Sequence, residues 1–161
     1  MTDQQDINPL PDRRHLRRLN RVYVRDPIFY ISTCVLHRQK VLARPQMAEA
    51  VVAALAESSQ VRGWLVGRYV VMPDHVHFLC APGARESELS GFVGAFKHCA
   101  TRKAWQVGWQ GRLWQPEFFD ELITSRRLAH QKWEYMRLNP VRAKLCESPE
   151  EWPYQGELES L

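Results

Sequence analysis

Several absences narrow what this 161-residue chain can be. No stretch approaches the ~18 consecutive apolar residues of a membrane-spanning helix. The opening MTDQQDINPLPD lacks the basic-then-apolar pattern of a signal peptide. The chain has no repeats, no low-complexity segments and no C-x-x-C pair, and its four cysteines lie far apart, which argues against a zinc knuckle or a disulfide framework. These absences predict a cytoplasmic protein with no membrane partner.

The composition that is present is that of a soluble globular domain. Hydrophobic residues make up 45% of the chain and charged residues 25%. A chain of this length corresponds to one domain and can bury a sizeable core. Two of the four cysteines fall in apolar runs, where thiols are usually buried.

Positive charge is concentrated in particular parts of the sequence. After Lys144 there are five glutamates and no lysine or arginine, whereas the preceding chain has 22 basic against 13 acidic residues, a net +9. Six arginines fall within RRHLRRLNRVYVR, residues 13–25, and a second basic set follows residue 125. Segregated positive charge favours a polyanionic partner, because neutralising phosphates releases condensed counterions. A solvated basic face is the alternative on charge alone.

The spacing of apolar residues predicts alternating strands and helices. The predicted strands cover 28–36, 64–72, 75–81 and 112–123, and the predicted helices cover 45–59, 86–105 and 125–139. The second and third strands must be antiparallel, because the Pro73-Asp74 turn between them is too short for a crossover. The order β-α-β-β-α-β-α is that of the ferredoxin-like split βαβ fold, an α+β antiparallel sheet with helices on one face, plus one C-terminal helix.

Proline and serine mark the ends of the last two predicted elements. Pro116 places the strand over 112–123 at a sheet edge, since proline cannot donate to a ladder. Ser125 is a candidate N-cap of the last helix. Pro140 disfavours helical backbone at Asn139, which predicts that this helix ends there.

Two histidines stand one residue apart in the apolar stretch VVMPDHVHFLCAP, residues 70–82. In a strand, His75 and His77 point to one face while Val76 and Phe78 point to the other. Two neutral imidazoles side by side form a convergent pair of metal ligands. The alternative is a pair of histidines satisfied by ordinary hydrogen bonds, because so short a motif often occurs by chance.

A second stretch, WEYMRLNPVRAKL over 133–145, places Tyr135 and Asn139 four residues apart, on one face of the predicted helix. Taken alone, Tyr135 could be a half-buried aromatic residue of an amphipathic helix. Asn139 could be a C-cap before proline. The two stretches gain meaning only in combination.

In combination, these stretches resemble the single-tyrosine HUH endonucleases, and among them the REP-associated tyrosine transposases. MPDHVHFL resembles the histidine–hydrophobic–histidine motif, and YMRLNPVRAKL resembles the helix that carries the tyrosine. GRLWQPEFFDELI and EWPY resemble the tryptophan-rich strand and the C-terminal W-P-Y segment of that family. The resemblance runs from Tyr23 to Tyr154, and the ordered set is far more specific than any single motif.

The resemblance implies a metal-dependent single-strand DNA endonuclease and strand transferase. Tyr135 would be the nucleophile that forms a 5′-phosphotyrosine link. His75, His77 and Asn139 would hold a divalent ion, Mg²⁺ or Mn²⁺. The partner would be single-stranded or hairpin DNA formed by repetitive extragenic palindromes, which would associate this bacterial protein with the nucleoid. The implied organisation is a flexible basic arm over 1–20, a catalytic domain over 21–146 and an acidic tail over 147–161.

Basic residues supply the candidate DNA contacts, through phosphate attraction and stacking. The candidates are Arg13, Arg14, Arg17, Arg18, Arg21, Lys97, Arg102, Lys103, Arg137 and Arg142. The acidic tail is a candidate cover for the basic site. A monomer with its tyrosine acting in cis is expected, the alternative being a dimer that exchanges tyrosine helices.

Two other functions are compatible with parts of the sequence. A domesticated DNA-binding protein would keep the fold and lose the chemistry. A metal hydrolase of small phosphoesters, suggested by the two histidines alone, would use water as its nucleophile and would keep its activity in a Tyr135→Phe variant.

Overall fold

A computed structural model of the chain describes residues 25–84 and 88–161. The basic arm predicted over 1–20 lies outside the described residues. So do five of the candidate DNA contacts, Arg13, Arg14, Arg17, Arg18 and Arg21.

Within the described residues, five strands form one antiparallel sheet in the order β4-β1-β3-β2-β5. The strands are β1 Ile28–Cys34, β2 Trp64–Val71, β3 His75–Pro82, β4 Phe119–Ile123 and β5 Gln155–Glu157. The helices are α1 Pro45–Arg62, α2 Leu89–Gln106, α3 Arg126–Arg137 and the short α4 Asn139–Arg142, with 3₁₀ turns at Leu36–Arg38 and Pro149–Glu151. The predicted α+β fold is confirmed, with β4 at the predicted sheet edge.

One face of the sheet carries the main hydrophobic core, under α1 and α2. Ile31 of β1 and Phe78 of β3 are fully buried there, against Phe92 and Phe96 of α2. Each large apolar side chain buried in this way contributes roughly 1.5–3 kcal/mol. Helix α1 begins with a proline, and it ends at Gly63, whose φ of 69° suits a residue without a β-carbon.

The other face of the sheet carries a smaller cluster, and α3 packs on it. Buried Tyr30, Leu79 and Met136 belong to this cluster. Since side chains alternate along a strand, the residues of β3 that share this face with Leu79 are His75 and His77. The tyrosine-bearing helix and the two histidines therefore meet on the same side of the sheet.

The break between α3 and α4 corrects one predicted boundary. The side chain of Ser125 accepts a hydrogen bond from the backbone N–H of Leu128 at 3.2 Å, as its role as N-cap predicts. Helix α3, however, ends at Arg137, and Asn139 begins α4. The prediction that one helix runs to Asn139 is wrong. Pro140 is tolerated because the N–H it lacks would have no intrahelical partner in a first turn.

The strand predicted over 112–123 forms only in its second half. Before β4 begins at Phe119, Trp114 makes a single bridge to Val35. The ammonium group of Lys97 donates to the backbone carbonyls of Gln115, Pro116 and Glu117 at 2.8–3.1 Å. Lys97 therefore satisfies carbonyls that an irregular segment leaves unpaired.

The C-terminal segment joins the sheet. Strand β5 pairs with β2, and the backbone N–H of Val71 donates to the carbonyl of Tyr154 at 2.8 Å. Trp152 is buried, and its indole N–H donates to the carbonyl of Val71 at 3.0 Å. None of the helices in the described part of the chain has the length and apolarity needed to cross a bilayer.

Candidate active site

The four residues predicted to carry the chemistry line one open cavity of about 440 Å³. His75 and His77 come from β3, Tyr135 from α3 and Asn139 from the start of α4. The full lining consists of Tyr30, Ser32, Arg38, His75, His77, Phe119, Glu121, Lys132, Tyr135 and Asn139. The fold thus assembles the predicted set within one chain.

The two histidines face each other through the nitrogens that would bind a metal. Their Nε2 atoms lie 2.8 Å apart, with the ring planes at 79°. Each Nδ1 has its own partner, an oxygen of Asp74 at 2.6 Å from His75 and the hydroxyl of Tyr30 at 2.7 Å from His77. Metal-binding histidines commonly use their second nitrogen in this way, which fixes the ring orientation. The donor set therefore fits a divalent ion held by the two Nε2 atoms.

Burial keeps both imidazoles neutral, which is the form that binds metals. Desolvation lowers the pKa of His77 to about 3, and the neighbouring His75 and the cation of Arg142 act in the same direction. Desolvation also lowers the pKa of His75, although Asp74 opposes that shift. Protons therefore compete little with a metal ion for this pair.

Asn139 completes the candidate ligand set. Its amide nitrogen is buried without a hydrogen-bond partner among the described residues, and its amide oxygen accepts from Arg142 at 3.1 Å. A carbonyl oxygen has two lone pairs, so one remains for a ligand in the cavity. Within residues 25–84 and 88–161, no three His, Cys, Asp or Glu side chains gather into a metal-binding group. The amide oxygen of Asn139 is therefore the candidate third protein ligand beside the two histidines.

Tyr135 is accessible and has cations against its ring. The side chain is 49% exposed. The guanidinium of Arg142 lies 4.4 Å from the ring centroid and donates to the Tyr135 carbonyl, while the Lys132 ammonium lies 5.5 Å from the same centroid. Tyr135 thus presents an accessible phenol in the same cavity lining as the two histidines.

The comparisons with known proteins identify the family. The sequence profile described as "Transposase IS200 like" matches residues 27–134, more than half of the chain. The chain belongs to the IS200-like transposase family. Its similarity to the ISDra2 transposase TnpA of Deinococcus radiodurans is 29% identity over 105 residues, which covers 61% of this chain and 74% of that protein. The matched region includes His75 and His77 and ends one residue before Tyr135.

Solved structures show the same fold. The structure of a REP-associated tyrosine transposase bound to a REP hairpin aligns with a TM-score of 0.73 at 18% identity, over 87% of this chain and 82% of that one. A Deinococcus radiodurans protein assigned as a transposase aligns with a TM-score of 0.55 at 23% identity, over 74% of this chain and 95% of that one. At sequence identities this low, the structural similarity shows a shared fold and nothing more.

The predicted DNA contacts of this IS200-like transposase fall into separate groups. Arg142 lies beside the tyrosine, and Arg137 forms ion pairs with Glu134 and with Glu150 of the acidic segment. Lys97, Arg102 and Lys103 belong to α2, on the opposite face of the sheet from the cavity. Lys97 is occupied by backbone carbonyls, and both Arg102 and Lys103 pair with Glu57. The structure therefore brings Arg142 beside the site, pairs Arg137 with two carboxylates outside the cavity lining, and leaves the α2 group away from it.

Six residues of the cavity lining were not among the predicted site residues: Tyr30, Ser32, Arg38, Phe119, Glu121 and Lys132. Lys132 pairs with Glu121 at 2.6 Å and lies 4.6 Å from the ring of Tyr30. Its position three residues before Tyr135 on the same helix could have predicted that Lys132 lies beside the tyrosine. Tyr30 and Phe119 come from strands whose register the sequence does not give. Arg38 follows β1 in an irregular turn.

Proposed function

We propose that this transposase is a metal-dependent single-strand DNA endonuclease and strand transferase with Tyr135 as its nucleophile. The observation that carries the proposal is one cavity that holds both an exposed tyrosine and two histidines with facing Nε2 atoms. An activity that used water alone would not need a phenol at this place.

The proposed step exchanges one phosphodiester for another. The Tyr135 oxygen forms a bond to the phosphorus, and the bond from phosphorus to the 3′ oxygen breaks. The phenolic proton passes to water and the leaving oxygen takes up a proton, which gives a free 3′-OH and a 5′-phosphotyrosine. Because the covalent intermediate keeps the phosphodiester energy, rejoining to another 3′-OH needs no nucleotide cofactor.

His75, His77 and Asn139 would hold the divalent ion, Mg²⁺ or Mn²⁺. The ion, when bound, polarises the scissile phosphate. All three ligands are neutral, so none of them reduces its charge. Asp74 and Tyr30 keep the two rings in place through their Nδ1 atoms. Burial lowers the pKa of both histidines, which favours the neutral form that can bind the ion.

We further propose a palindromic hairpin as the DNA substrate and a monomer as the working unit. The NPVRA sequence that follows Leu138 resembles the REP-associated branch, and the fold is shared with a transposase solved with a REP hairpin. A tyrosine in the same chain's cavity as the histidines supports action in cis. Such a substrate would place the protein at the bacterial nucleoid.

A denaturing protein gel tests the proposal. The protein is incubated with Mn²⁺ and a single-stranded oligonucleotide that carries a palindromic hairpin from the DNA flanking its gene. We expect a slower, DNA-labelled band that needs the metal and is lost with Tyr135→Phe. The matched control is Tyr154→Phe, a tyrosine outside the cavity, which should keep the band. A native complex without any covalent band would favour a DNA-binding protein that has lost its chemistry.

A further inference from the structure

Arg38 is built into the rim of the cavity by an unusual stretch of backbone. His37 and Arg38 have φ angles of 56° and 55°, a left-handed conformation that is unfavourable for a residue other than glycine. Backbone hydrogen bonds anchor the chain before and after the turn: the N–H of Leu36 donates to the carbonyl of Leu113 at 2.9 Å, and that of Leu42 donates to the carbonyl of Pro73 at 2.9 Å. The conformation that sets the direction of the Arg38 side chain is thus imposed by neighbouring segments.

Two contacts fix the position of the Arg38 guanidinium. Its Nε lies 3.0 Å from Asp74, the residue that also accepts from His75, and one terminal nitrogen donates to the sulfur of Cys34 at 2.6 Å. A guanidinium has five N–H donors, and these two contacts use two of them. The side chain lines the cavity and is 51% exposed. It is both held in position and accessible from solvent.

The charge of Arg38 reaches the two candidate metal ligands. Behind burial, which is the largest cause, the Arg38 cation contributes to lowering the pKa of both His75 and His77. A polyanion entering the cavity would therefore meet this charge at the place where a bound ion would also act. Guanidinium groups match the geometry of phosphate oxygens and can donate to two of them at once.

We propose that Arg38 binds the scissile phosphate and stabilises the negative charge that builds on it during attack by Tyr135. The inference rests on the proposed function, since it assigns a further catalytic residue to the same cavity. The competing account gives Arg38 a structural role only, in which it orients Asp74 and, through it, His75. The two accounts differ in whether the effect of Arg38 depends on the charge of the substrate.

The first experiment measures binding of a probe with a single phosphodiester, the thymidine dinucleotide TpT, by NMR titration in Mg²⁺. Its neutral methylphosphonate analogue is the comparison ligand. We expect TpT to shift the side-chain N–H signal of Arg38 and Arg38→Gln to weaken TpT binding about 10- to 100-fold. The analogue should bind wild type and variant within about twofold of each other. Arg44→Gln, an exposed arginine a few residues on and outside the cavity lining, should behave as wild type.

The second experiment measures the rate of covalent product on hairpin DNA and the Mg²⁺ affinity without DNA. Arg38→Gln should slow product formation about 100- to 1000-fold, the cost of removing one donor to a developing oxyanion, and Arg38→Lys should restore part of the rate. The Mg²⁺ affinity of Arg38→Gln should stay within about threefold of wild type.

Three results would overturn the inference: equal weakening of TpT and its neutral analogue, no TpT-induced shift at Arg38, or a large loss of Mg²⁺ affinity in Arg38→Gln. Each would assign Arg38 to holding Asp74. If wild type gives no covalent product while TpT binding still depends on Arg38 and on phosphate charge, the phosphate site stands and the proposed nuclease function fails.

Discussion

The hydroxyl of Tyr30 lies 2.7 Å from Nδ1 of His77, and the two rings stack with their centroids 5.5 Å apart. A hydroxyl can donate or accept, so Tyr30 can serve either tautomer of His77. Asp74 accepts the Nδ1 proton of His75, which leaves a lone pair on the Nε2 of His75. When no ion is bound, Nε2 of His77 therefore carries the proton and donates it in a hydrogen bond to Nε2 of His75. Nδ1 of His77 is then unprotonated and accepts a hydrogen bond from the Tyr30 hydroxyl. Ligation by His77 requires the opposite tautomer, with Tyr30 accepting.

Removing the Tyr30 hydroxyl should therefore weaken metal binding. Tyr30→Phe keeps the stacked ring and leaves Nδ1 of His77 without a partner. We expect a loss of roughly 10- to 100-fold in Mn²⁺ affinity, measured by titration calorimetry. Tyr154→Phe is the matched control. Equal affinities for Tyr30→Phe and wild type would show that Tyr30 packs against His77 without orienting it as a ligand.

Acidification should unfold the metal-free protein partly through His77. Its pKa is about 3 in the folded state and near 6.5 when exposed, so the unfolded chain binds the extra proton between those values. The free energy of unfolding should therefore rise with pH from about 3 to about 6.5, by at most about 1.4 kcal/mol per pH unit from this residue. Urea unfolding at pH 4 to 7 should give a smaller slope for His77→Asn. An unchanged slope would mean that His77 is protonated in the folded protein.

The buried Trp152 should make the acidic segment a required part of the fold. Its ring belongs to the cluster under α3, and its N–H is bonded to Val71. Trp152→Ala should lower the free energy of unfolding by about 3–5 kcal/mol, the usual cost of emptying a buried tryptophan site. Trp105→Ala, at a tryptophan that is 52% exposed, should cost clearly less. If urea unfolding gave similar decreases in the free energy of unfolding for the two variants, the acidic segment would be only loosely packed on the sheet.

Phe119 should act as a stacking surface for a DNA base. It is 51% exposed, lines the cavity, and meets the ring of Tyr30 edge-to-face with the centroids 6.1 Å apart. Phe119→Ala should lose about 1–3 kcal/mol of binding to single-stranded DNA, and Phe119→Trp should retain it. Leu128→Ala removes an exposed apolar side chain outside the cavity and serves as control. Fluorescence anisotropy that finds all variants equal to wild type would exclude a base at Phe119.

The sequence predicted local features well and distant pairings poorly. The alternation of His75 and His77, the Pro73-Asp74 turn and the Ser125 cap are properties of neighbouring residues, and all three appear in the structure. Strand β5 has three residues and exists only through its pairing with β2, so its own sequence carries almost no signal.

The candidate site likewise combines local features that the sequence predicted with distant contacts that it did not. The family resemblance singled out Tyr135 and Asn139, and the sequence predicted that one helix carries both. A helix break at Leu138 separates them, because proline can begin a helix as well as end one. Lys97 was predicted to contact DNA because it lies in a basic stretch. Its ammonium group instead donates hydrogen bonds to three backbone carbonyls of a distant segment. Arg38 acquires its position from Asp74, and no local pattern in the sequence reports that contact.

Mapping the covalent product to a residue tests the central claim most directly. After incubation of the protein with hairpin DNA and Mn²⁺, nuclease and trypsin treatment should leave a nucleotide on the peptide WEYMR, residues 133–137, whose only tyrosine is Tyr135. The account predicts this modified peptide by mass spectrometry, together with DNA that ends in a free 3′-OH. Cleaved DNA with no modified peptide, or a nucleotide on another residue, would contradict it.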